Sequence, residues 1–148
     1  MNGTGRNLLD DAMRERILDV ARRMNAQPTD LPALGRVHED AFPFCWNAPE
    51  AGWHLTVQER DKVLSDRHTT DPEEFVFWVA QAVSEAISLR LYPPGQPDFR
   101  RNSWHAQYRI LDDLDPSWGQ AWLRETREAL TAAGADHTTL DKLPSPSG

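Results

Sequence analysis

Cysteine is nearly absent from this chain of 148 residues: Cys45 stands alone, which excludes an internal disulfide framework and a cysteine-rich zinc module. No apolar run approaches the ~18 residues needed to cross a bilayer, and the N-terminus has no basic-then-apolar signal segment. A cytoplasmic protein with no membrane partner is therefore expected. Basic residues are in deficit, 16 Lys+Arg against 23 Asp+Glu, for a net charge of −7. Such a surface repels phosphate backbones, so nucleic acid is not an expected partner and a basic protein is. Aliphatic residues are scarce too. Leu, Ile, Val and Phe total 30, or 20% of the chain, a level at which charged chains begin to resemble disordered ones.

What is present offsets that scarcity. Six Trp supply large apolar area, and the apolar residues are sharply patterned. From Leu8 to Asn25, Leu9, Met13, Ile17, Val20, Ala21 and Met24 recur at three- and four-residue steps, one face of an amphipathic helix. Ala26–Asp40, with Pro28, Pro32 and Gly35, reads as an ordered connecting loop. Phe42–Asn47, Trp53–Gln58 and Lys62–His68 read as a meander. In its middle strand Trp53, Leu55 and Val57 alternate against His54, Thr56 and Gln58, which places Trp53 toward a helix layer and His54 toward solvent. Asp71-Pro72 and Asp115-Pro116 each put a capping side chain before a proline whose missing N–H costs nothing, so each opens a helix. Asp98–Leu114 supplies another. The expected fold class is α+β and mostly helical: an N-terminal helix, a short antiparallel β-meander, then three α-helices packed on it. One domain is expected over residues 1–134, with a disordered polar tail at 135–148.

No chemistry-bearing motif emerges. There is no Gly-x-Ser-x-Gly, phosphate loop or dinucleotide fingerprint, and no two His stand four apart on a helix. His38, His54 and His105 are the only histidines worth weighing for metal-dependent hydrolysis, and their settings favour plain polar surface; no metal or other cofactor is expected. Cys45, between Phe44 and Trp46, lacks the positive charge that activates a thiolate and reads as buried and inert. Trp53, Trp78, Trp118 and Trp122 read as core. Trp46 and Trp104 are less determined and are candidate anchors for a protein partner. The charge is uneven, with −5 of the −7 after residue 70, where Asp112, Asp113 and Asp115 stand together. Those three aspartates are the candidate docking patch. The residues thus show no active site, which suits a binding protein such as a small adaptor better than an enzyme.

One resemblance narrows this. Leu31-Pro32, Gly52-Trp53-His54-Leu55-Thr56-Val57-Gln58-Glu59-Arg60, Asp71-Pro72-Glu73-Glu74-Phe75-Val76-Phe77-Trp78-Val79 and Asp98-Phe99-Arg100-Arg101, followed by Gln107, Ile110-Leu111, Leu114, Pro116 and Trp118, resemble in order and spacing the immunity protein 63 family. Two departures stand out: Asp61 occupies the place of the family's Gly after Glu-Arg, and a Tyr-Glu pair is missing around Leu89-Arg90-Leu91. The resemblance implies an immunity protein of a bacterial polymorphic toxin system that binds and blocks its cognate toxin domain. A basic, nuclease-like toxin would suit the acidic charge.

Overall fold

Helix α1 (Asp11–Arg23) begins where Oδ2 of Asp10 accepts the Met13 amide at 3.0 Å, satisfying one of the amides a helix start leaves free. Its buried residues Met13, Ile17, Val20 and Ala21 follow the predicted stripe, and Asn25 ends it in the left-handed region at φ 57. These features belong to a computed structural model that describes residues 8–37, 39–48 and 50–145. The readings placed on His38, on Pro49 and on the last three residues of the tail lie outside them.

The chain divides into two compact units, Met1–Ala82 and Val83–Gly148. The first holds α1 and a four-stranded sheet in the order β1-β2-β3-β4: β1 (Ala33–Leu34), β2 (Phe44–Ala48), β3 (Gly52–Glu59) and β4 (Lys62–Thr69). The three longer strands are the antiparallel meander read from the sequence. The fourth, β1, pairs parallel to β2 inside the segment expected to be loop. Two residues carry no periodicity, and their partners Phe44 and Cys45 lie outside any local window.

Turn chemistry sets the register. Gly52 has φ +82, and a Cβ there would stand 2.2 Å from the Thr69 carbonyl oxygen, so only glycine fits. Between β3 and β4 the left-handed residue is Arg60, at φ 56, and Asp61 is not among the positive-φ residues. The turn therefore places no demand for glycine at position 61, which accounts for the departure there.

Helix α2 (Pro72–Leu91) opens as its sequence predicts: Asp71 Oδ1 accepts the Glu73 amide at 3.0 Å, and Thr69 Oγ1 donates to Glu74 at 2.6 Å. Phe75, Val76, Val79 and Ala80 are its buried residues within the first unit. Trp53 faces this helix, its ring 6.2 Å from that of Phe75. Trp78, expected in the core, is half-buried, with the Arg67 guanidinium 4.1 Å over its ring.

The second unit continues α2 with Val83, Ser84, Ile87 and Ser88 buried, then adds α3 (Phe99–Leu114), α4 (Pro116–Ala132) and α5 (His137–Leu140). Ser88 is 1% exposed, and its hydroxyl donates back to the Glu85 carbonyl at 2.9 Å. Asp115 caps α4 through the Ser117 amide at 2.9 Å. Helices α3 and α4 approach closely at Gly119, where a Cβ would meet Asp112 Cβ at 2.9 Å. Trp122 is buried against Tyr108, ring centroids 6.4 Å apart, whereas Trp118 is half-buried. Beyond Gly134, where composition reads as disorder, lie α5 and the buried Leu143, and Arg101 bonds the Asp141 carbonyl at 3.2 Å.

Candidate functional site

Strand alternation gathers one set of side chains on a single face of the sheet. Trp46 lies opposite His54, His54 opposite His68, and Thr56 opposite both Phe44 and Asp66. Residues two apart on a strand share a face, so β2, β3 and β4 each contribute to one surface. The rings of Trp46 and His54 stack at 4.1 Å with 17° between planes, and those of His54 and His68 stack at 5.0 Å.

Hydrogen bonds run across the same face. Trp46 Nε1 donates to Thr56 Oγ1 at 3.0 Å, and Thr56 passes its own proton toward Asp66 Oδ1 at 2.6 Å. His54 Nδ1 stands 3.0 Å from the same oxygen and 3.1 Å from Oδ2. Partial burial pushes the Asp66 carboxyl up. The bonds from Thr56 and His54 and the charges of His54 and His68 outweigh it, so the group lies below the ordinary carboxylate value.

This corrects the expected exposure of His54. It is 8% exposed and Thr56 4%, whereas Trp53, Leu55 and Val57 on the opposite face are half-buried. Alternation reveals which residues share a face; it does not reveal what covers them. Here the broad indole of Trp46 and the cross-strand His68 do the covering. The Nε2 of His54 is buried with no hydrogen-bond partner. His105, expected on a solvated helix face, is half-buried and its Nε2 is likewise buried without a partner.

Beside this cluster lies a cavity of about 300 Å³, lined by the apolar Leu8, Val37, Phe44 and Val63 and by the polar Thr56 and Asp66 among others. A second hollow, about 440 Å³, lies along α1 and the Leu31-Pro32 segment. Its Arg14 is committed to the Leu34 carbonyl at 2.7 Å and its Arg22 faces Asp19 at 3.5 Å.

The residues singled out from sequence are dispersed. Trp46 sits half-buried in β2, tied into the network above. Trp104 is half-buried on α3, with the Arg100 guanidinium 5.4 Å from its ring centroid. Asp112 lies eight residues further along α3, roughly 12 Å along the axis; it is half-buried against Gly119. Asp113 is exposed, and Asp115 is half-buried and spends its carboxylate on the α4 cap. Asp66 and His68 draw no notice in the sequence, because their place beside His54 depends on cross-strand register. Cys45 is fully buried, and burial pushes its thiol up to about 12, in keeping with an inert residue.

Among the described residues no helix is long and apolar enough to cross a membrane. The family model described as immunity protein 63 matches residues 49–128, more than half of the chain and inclusive of β3, β4, α2 and α3. No curated protein and no solved structure matches.

Proposed function

The chain belongs to the immunity protein 63 family, and from that membership we propose that it neutralises a cognate toxin domain of a bacterial polymorphic toxin system by binding and blocking it. The family match is the observation that carries the reading. Inhibition of this kind is stoichiometric and needs no turnover, and the protein acts in the cytoplasm that the toxin would otherwise damage.

Charge supports a basic, nuclease-like toxin as the partner. The net −7 of the chain steers a basic protein toward it and speeds the encounter. Within the aspartate cluster, Asp113 is free to meet that partner, with Asp112 beside it on α3 and Asp115 contributing field more than contact. Trp104, on the same helix, is the aromatic anchor beside it, and Trp46, at the sheet of the other unit, is a separate candidate anchor.

The test is protection. Cells expressing the toxin domain encoded beside this chain should survive only when the chain is co-expressed, and the purified pair should elute as a one-to-one complex. Survival without the chain, or failure to form the complex, would sink the reading. Asp113→Lys should weaken protection while leaving the circular dichroism spectrum unchanged; undiminished protection removes that surface from the interface.

A further inference from the structure

We propose that His54, Asp66 and His68 form a binding site for a divalent transition-metal cation of the zinc type, a site that owes nothing to the toxin reading. Each side chain offers one ligand atom, and the three atoms lie within 4.8 Å of one another. The sheet builds this arrangement. His54 and His68 are direct cross-strand partners, and Asp66 stands two residues from His68 on the same face. Two antiparallel strands thus present three ligands toward one point.

The chemistry selects the cation. Two imidazoles and one carboxylate suit zinc, copper, nickel or iron, whereas magnesium and calcium favour oxygen ligands alone. Zinc bonds of about 2.0–2.1 Å set neighbouring ligand atoms roughly 3.3 Å apart. His54 Nδ1 and Asp66 Oδ1 already stand at 3.0 Å, so most of the closing movement falls to His68. His68 is exposed, and its side-chain torsions are free to supply that movement. The exposed faces of Asp66 and His68 also give a cation its way in.

The site is sheltered on its His54 side, where the ring is 8% exposed and its Nδ1 faces Asp66. Thr56 holds the Asp66 carboxylate through a bond of 2.6 Å, and the Trp46 indole N–H in turn donates to the Thr56 hydroxyl at 3.0 Å. Three protein ligands leave a fourth position open to water or to a partner's side chain.

Calorimetric titration of the full chain with Zn²⁺ alone tests the site. The expected result is one Zn²⁺ per chain, with affinity lowered about tenfold or more in His68→Ala and in Asp66→Asn and unchanged in His137→Ala. His68 and Asp66 are exposed, so the variants should keep the wild-type circular dichroism spectrum, and their loss of the visible absorption of bound Co²⁺ gives a second readout. Absence of saturable Zn²⁺ binding to the wild type, or equal affinity in His68→Ala, would overturn the proposal.

Discussion

The indole N–H of Trp53 donates to Oδ1 of Asp10 at 2.7 Å, while Oδ2 of the same carboxylate caps α1 through the Met13 amide at 3.0 Å. One side chain thus fastens the start of a helix to a strand 43 residues away in sequence. Asp10→Ala should destabilise the protein by about 1–3 kcal/mol, combining a lost cap with an orphaned indole N–H. Urea denaturation of Asp10→Ala, Trp53→Phe and the double variant separates the two terms. Strict additivity would show that the two residues do not act together.

Glycines at positive φ should differ sharply in what they tolerate. Gly52→Ala forces a Cβ to within 2.2 Å of the Thr69 carbonyl oxygen, whereas Gly134 has nothing within 4 Å of the added atom. The first substitution should cost about 2–4 kcal/mol, and the second about 1 kcal/mol from backbone strain alone. Thermal unfolding of the pair checks the ranking, and equal losses would contradict the close approach at Gly52.

Burial of Cys45 predicts both silence toward thiol reagents and a loss of stability in base. At about pH 8, near the pKa of a free thiol, the folded protein should not react with a disulfide reagent, and the denatured chain should. Above that, the unfolded chain ionises its thiol near 9.0 while the folded one holds its proton to about 12. The folded state therefore binds the extra proton, and its stability falls as pH rises through that interval, by about 1.4 kcal/mol per pH unit from this group. Comparing wild type with Cys45→Ala isolates the effect; parallel stability curves would refute it.

Leu143 tests the segment after Gly134. It is 5% exposed and follows α5, so Leu143→Ala should destabilise the chain by about 2 kcal/mol or more. A variant as stable as the wild type would return residues 135–145 to the disorder their composition suggests.

Local chemistry was legible and non-local chemistry was not. Asp71-Pro72 and Asp115-Pro116 announce their helices because a cap and a proline act within three residues. The β2–β3–β4 meander is legible because period-two alternation and turn residues are also local. Strand β1 escapes, since Ala33 and Leu34 become a strand only when Phe44 and Cys45 arrive beside them. The cluster at His54 escapes for the same reason. Its members come from three strands, brought into line by the glycine at 52 and by a register shift between Val57 and Gln58. Leu143 is hidden in a polar tail whose composition averages away one apolar side chain.

Strand β4 closes one edge of the sheet and is exposed from Lys62 to His68, with Val63 and Leu64 about half uncovered at 55% and 48%. Substitution at an exposed position costs little, usually within about 0.5 kcal/mol. Val63, Leu64 and Ser65 can therefore vary widely while the backbone ladder to β3 persists. That separation matters for the fold: the residues that hold the sheet and the residues open to revision are different ones, so changes can accumulate along this rim without risking collapse.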